Sequence, residues 1–112
     1  MNERLREPVA QVLGLLAQKK YAELARLTNE VRLSAQEIAQ AVADYGRTLV
    51  EPPEDAFSLL DALQVRGAQP PRWSITMPVW TREEGRSDLS VELTVTDFGN
   101  GFSIELDDLH VL

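Results

Sequence analysis

The feature that most constrains this chain is a change of hydrophobic period near Arg72. Beyond it, Trp73, Ile75, Met77 and Val79 alternate with Arg72, Ser74, Thr76 and Pro78. Leu89, Val91, Leu93 and Val95 alternate in the same way with Ser90, Glu92, Thr94 and Thr96. Phe102, Ile104 and Leu106 alternate with Ser103, Glu105 and Asp107. Successive strand side chains point to opposite faces, so each run has one apolar and one polar face. Such runs suit an antiparallel sheet that is covered on one side only. Strands are predicted near 60–66, 72–80, 89–97 and 102–111. Asn100-Gly101 predicts the tight turn joining the last two, and "TREEGRS" a longer polar connection between the two before them. Pro78 has no N–H for a ladder and marks an edge or a bulge.

Before Arg72 the period is helical. Leu5, Val9, Val12, Leu13 and Leu16 form one stripe, in a helix expected to begin close to Pro8. Tyr21, Leu24, Leu27 and Val31 suggest a second, shorter helix. The third, over 34–45, carries a capping box at Ser34 and Glu37 and a hydrophobic staple at Leu33 and Ile38. Gly46 supplies its left-handed stop. Leu49 to Pro53 must be extended, because each proline disfavours a helical residue before it. A helical turn through about Leu59 then leads into the first full strand. Helices followed by a meander predict a single α+β domain over 1–112, with the helices packed on a four-stranded curved sheet.

That order of elements resembles the cystatin-like or NTF2-like cone. A second resemblance lies in the residues of the carboxyl-terminal half. Trp80-Thr81, the loop from Glu83 to Leu89 and the closing Asp107 to Leu112 ("DDLHVL") are similar to a family of small bacterial proteins of uncharacterised function. The resemblance implies a strand over Leu60 to Arg66 and no particular reaction.

Charge is unevenly spread. Residues 1–50 carry seven Lys/Arg against six Asp/Glu, and residues 51–112 four against twelve, within a total of −7. A field of that sign repels nucleic acid and anionic lipid and draws in a basic protein. There is no cysteine for a disulfide, a thiolate nucleophile or a structural zinc site. No apolar run nears the roughly 20 residues that span a bilayer. "MNERLREP" has neither the apolar core nor the cleavage site of a secretory signal, so a cytoplasmic location is expected.

Chemistry is sparse. Asp97-Phe98-Gly99 has the letters of the kinase magnesium motif, without a glycine-rich loop, an H-R-D segment or the necessary length. No P-loop, G-x-S-x-G elbow, G-x-G-x-x-G or H-E-x-x-H is present. The remaining candidate is Asp108 with His110, the only histidine. Under strict alternation past Leu106, Asp108, His110 and Leu112 would face the helices, where a carboxylate could orient an imidazole base. Under a bulge at Asp107–Asp108, Leu109 and Val111 would join the core face and the polar pair would face water. The apolar pattern favours the bulge, because exposing Leu109 and Val111 forfeits roughly 1.5–3 kcal/mol of burial each.

Residues on one strand alternate between faces, so Glu105, Asp107, Asp108 and His110 cannot converge on one ion; no metal and no cofactor is expected. Trp80, out of phase with Ile75 and Met77, either is buried by a bulge or projects as an interaction hot spot beside Glu83, Glu84 and Arg86. Arg86 is expected to pair with Glu84 or Asp88. These features together suggest a non-enzymatic, acidic protein-binding domain. Trp80, Glu83, Glu84, Arg86, Asp107 and Asp108 would form its partner surface, as in an immunity protein that covers a basic toxin. The alternatives are a ligand pocket or enzyme using Asp108 and His110 as an acid–base pair, and a homodimer formed through the open sheet face.

Overall fold

The computed structural model describes residues 3–30 and 32–111; Val31 and Leu112, which figured in the expectations above, lie outside the described residues. A 3-10 turn at Glu3–Leu5 leads into α1 (Arg6–Ala17), followed by α2 (Tyr21–Leu27) and α3 (Ala35–Tyr45). Pro8 sits in the first turn of α1, where its missing N–H would have no helical partner in any case. Between α1 and α2 the chain reverses at Lys19, held in a left-handed conformation at φ 59°.

The start and stop of α3 are set locally, as its sequence predicts. Ser34 Oγ accepts the Glu37 N–H at 3.2 Å, and Glu37 Oε1 accepts the Ser34 N–H at 3.0 Å. Gly46, at φ 74°, ends the helix. Ile38 is fully buried, and Leu33 packs against the same core.

Five strands follow: β1 (Leu49–Val50), β2 (Asp61–Gln64), β3 (Arg72–Thr81), β4 (Gly85–Asp97) and β5 (Phe102–Val111). A 3-10 turn at Glu54–Leu59 precedes β2. All pairings are antiparallel, in the order β1-β3-β4-β5, with β2 sharing the outer side of β3 with β1. The sheet therefore has one strand more than expected, the two-residue β1 within the segment that the prolines keep extended. β1 pairs with Trp80 and Thr81 and β2 with residues 73–76. Pro78 lies in the gap between them, where a missing donor costs least.

Two turns differ from expectation. Pairing of β3 with β4 runs on to Thr81↔Gly85, so β4 begins four residues before Leu89 and only Arg82, Glu83 and Glu84 turn the chain. The last hairpin pairs Asp97 with Phe102 around a four-residue loop. In that loop Gly99, at φ 88°, takes the left-handed position, and Asp97 Oδ1 accepts its N–H at 2.8 Å.

The helices cover one face of the sheet. Leu5, Val9, Val12 and Leu16 from the amino-terminal turn and α1 share one buried cluster with Ile38 of α3 and with Ile75, Met77, Leu93, Val95 and Leu106 of the sheet. Each of these is at most 1% exposed. The apolar stripe and the alternating strands thus meet as one core, and the polar face of β3, β4 and β5 lies on the other side of the sheet, away from α1, α2 and α3, with only Pro78 and Ser90 buried at its β3–β4 end.

Candidate partner-binding face

The face opposite the helices is built by the strand pleat. In β4, Val91, Leu93 and Val95 are buried and Glu92, Thr94 and Thr96 lie opposite them. In β5, Ile104, Leu106 and Leu109 are buried. Strict alternation would not bury both Leu106 and Leu109. The register shows how the strand manages it: Leu93 pairs with Leu106, Glu92 pairs with Asp108, and Asp107 has no partner residue. Asp107 is a β-bulge, the extra residue that resets the phase.

Its consequence is a run of acid on the open face. Thr94 Oγ1 donates to Asp107 Oδ2 at 2.6 Å, and Arg32 Nε stands 3.9 Å from Asp107 Oδ1. Asp108 Oδ1 accepts the N–H of Leu109 at 2.8 Å. Glu105, opposite Thr94, adds a further carboxylate. The inward arrangement of Asp108 and His110 is not the one adopted: their side chains are 54% and 34% exposed. Val111, which the reset phase assigns to the core, is 55% exposed at the end of the strand.

His110 stands between two carboxylates. Its Nδ1 is 2.7 Å from Asp108 Oδ2 and its Nε2 is 3.0 Å from Glu92 Oε2. Ligand atoms of Glu92, Asp108 and His110 all lie within 4.8 Å of one another. Glu92 was not among the residues singled out from the sequence. Alternation places it on the polar face, but only the register of β4 against β5 sets it opposite Asp108. The expectation that acidic groups do not converge considered β5 by itself; convergence arises across two strands.

The other surface candidates divide. Glu83 and Glu84 are exposed, yet their oxygens are committed within the fold. Glu83 accepts the Thr48 N–H and the Thr48 hydroxyl, both at 2.8 Å, and these bonds hold its carboxyl below the usual range. Glu84 accepts from the Tyr45 hydroxyl at 2.9 Å and the Thr81 hydroxyl at 3.0 Å. They fasten the β3–β4 turn to the end of α3 and the start of β1. The Tyr45 hydroxyl is raised above its ordinary value by desolvation first and by Glu84 second.

Trp80 is half-buried against the core and pairs with Val50 and Arg86. Among the described residues no ion pair joins Arg86 to Glu84 or Asp88. Arg86 instead lines a half-open cleft of about 370 Å³ with Asp61, Thr76, Pro78, Asp88 and Ser90. Ser90 pairs with His110, so the cleft adjoins the acidic cluster.

Fold and face together define an α+β domain with helices on one side of an antiparallel sheet and an acidic surface on the other. The chain belongs to the family described as a domain of unknown function, DUF7668, which matches residues 13–112. Comparison with curated proteins and with solved structures finds no match.

Proposed function

We propose that this domain is a non-enzymatic protein-binding module that presents the β4–β5 half of its open sheet face to a basic partner. The observation that carries the reading is the gathering of Glu92, Glu105, Asp107 and Asp108 on two adjacent strands, on the face opposite the one that the described helices pack against. Clustered carboxylates raise the local concentration of a cationic protein and orient its approach. Asp88 and Asp61 extend the field toward the cleft, against Arg72 and Arg86 as the basic residues of these strands.

One concrete version is an immunity-type protein that occludes a cationic bacterial toxin in the cytoplasm. The likeness to the cystatin-like or NTF2-like cone belongs to the same proposal: helices fill one side of the sheet, and the working surface is the other. A second copy is the less favoured occupant, because two such faces would bring like charges together. The acid–base reading of Asp108 and His110 retains their 2.7 Å contact but loses the enclosed interior it assumed. No helix of the described residues is long and apolar enough to cross a membrane.

The test is affinity capture from the native host, then stopped-flow association across a salt series in chelator-treated buffer. Replacing Glu105, Asp107 and Asp108 by their amides is expected to slow association with a basic partner more than it speeds dissociation. The wild-type rate should fall with ionic strength, since screening acts over about 8–10 Å. Glu83 and Glu84 are left intact because their oxygens support the fold. Salt-independent binding that ignores the three substitutions refutes the reading.

A further inference from the structure

We propose that Glu92, Asp108 and His110 form a binding site for a divalent first-row transition cation of the zinc class. The donor set is one imidazole nitrogen and two carboxylate oxygens. Calcium and magnesium favour all-oxygen shells, whereas imidazole with carboxylate suits zinc, cobalt and manganese. The three ligands come from rigid positions on two hydrogen-bonded strands: Asp108 directly opposite Glu92, and His110 two residues further along the same face.

The three donors are near one another but not yet at the spacing of a closed shell. Ligands about 2.0–2.2 Å from a tetrahedral zinc lie about 3.4 Å from each other. Here Asp108 stands 2.7 Å from Nδ1 and Glu92 3.0 Å from Nε2, and the three ligand atoms fall within 4.8 Å, wider than that shell. Only one ring nitrogen can face a given ion. Rotation of the part-exposed Glu92 or Asp108 side chain closes the remaining distance.

A second observation concerns the ring itself. His110 Nδ1 is closed off from solvent and among the described residues has no hydrogen bond, although Asp108 Oδ2 is 2.7 Å away, because the contact is not aligned for an N–H donor. A buried polar atom without a partner is costly. A cation shared between the ring and the carboxylates removes the mismatch.

The surroundings favour a positive ion. Among the described residues no lysine or arginine is ion-paired with Glu92 or Asp108. Asp107, bound by Thr94 and with Arg32 3.9 Å from its other oxygen, stands beside the site. The Leu109 N–H holds Asp108 Oδ1 and leaves Oδ2 toward the ring, as outer partners orient ligands in metal sites. With side chains 34–54% exposed, the ion would keep at least one position open to water or to a side chain of another protein. The site does not depend on the protein-binding reading, and its test needs no partner.

Chelator-stripped protein is titrated with zinc by calorimetry, and thermal melts are recorded with zinc, magnesium and calcium. The expected result is one equivalent of saturable zinc. The melting temperature should rise by roughly 10 °C at a hundred times the dissociation constant, with no comparable rise for magnesium or calcium. His110→Gln, Glu92→Gln and Asp108→Asn should each weaken binding by more than about tenfold. Glu105→Gln, which removes the same charge from the same face, should leave it within about twofold. Cobalt absorption, followed in the wild type and in His110→Gln, reports whether the ring is a ligand, and metal-free melts show that each variant is folded. No saturable zinc binding, equal response to calcium, or a folded His110→Gln that binds like the wild type would overturn the proposal.

Discussion

Removing single residues from β5 distinguishes a bulge from a regular strand. Asp107 is the extra residue, so deleting it joins Leu106 to Asp108 and leaves Leu93↔Leu106 and Glu92↔Asp108 as neighbouring pairs. Leu109 stays on the core face. The loss is the Thr94–Asp107 hydrogen bond, worth about 1.5–3 kcal/mol for a charged acceptor and less where partly exposed. Relief of repulsion against Asp108 offsets part of it, and a net cost of about 1–2 kcal/mol is expected. Deleting Glu105 instead reverses the phase just beyond Ile104. Leu106, 1% exposed, then turns outward at roughly 1.5–3 kcal/mol, and Asp107 turns into the core without a partner. The total exceeds about 5 kcal/mol, comparable with the whole stability of a small domain. Urea denaturation followed by circular dichroism measures both. The Asp107 deletion should lower the midpoint by about 0.5–1 M, whereas the Glu105 deletion should abolish cooperative unfolding. Equal losses, or a more damaging Asp107 deletion, would refute the phase-reset account.

Two further outcomes test the local devices. Ser34→Ala should cost about 1 kcal/mol in urea unfolding by removing the α3 cap, while Ser34→Thr should restore most of it. Glu83 has a carboxyl held below its ordinary value of 4.5 by the Thr48 bonds, so its stabilisation is complete above that pH and fades as the pH falls through the lower, folded value. Glu83→Gln should therefore flatten the decline of stability below about pH 4.5 without abolishing it, because Glu37 is lowered in the same sense by its bonds to Ser34. Identical pH profiles for wild type and Glu83→Gln would contradict the assignment.

Much of the architecture is written in local chemistry. The α3 cap needs only Ser34, Glu37 and Gly46, all within one element, and the period change at Arg72 separates helices from sheet. The bulge was inferable because Leu106 and Leu109 both demand burial and strict alternation cannot give it. What stayed hidden depends on pairing between strands. Alternation puts Glu92 on the polar face, yet no local pattern says that Asp108 sits across from it. The committed oxygens of Glu83 and Glu84 were invisible for a related reason. Thr48 and Tyr45 are about 35–39 residues away in sequence, so a polar loop read as free surface is in fact tied down. β4 starts at Gly85 instead of Leu89 because Gly85 and Arg86 still pair with Thr81 and Trp80.

The shared core of α1 and the last hairpin also fixes an order of events during synthesis. Arg4 donates to Asp97 Oδ1 at 2.9 Å across a separation of 93 residues, and its guanidinium lies 5.2 Å from the centre of the Phe102 ring. Leu5, Val9, Val12 and Leu16 share their cluster with Leu24 and Ile38 of the next two helices, but also with strand residues that emerge from the ribosome later, Ile104 and Leu106 among the last. At about 5–20 residues per second, the span from the end of α1 to the start of β5 takes roughly 4–17 s. Throughout that interval the apolar stripe of the nascent helix is covered only in part. A chaperone that holds such stripes can act on this protein only within that window, because closure of the last hairpin conceals what it would recognise.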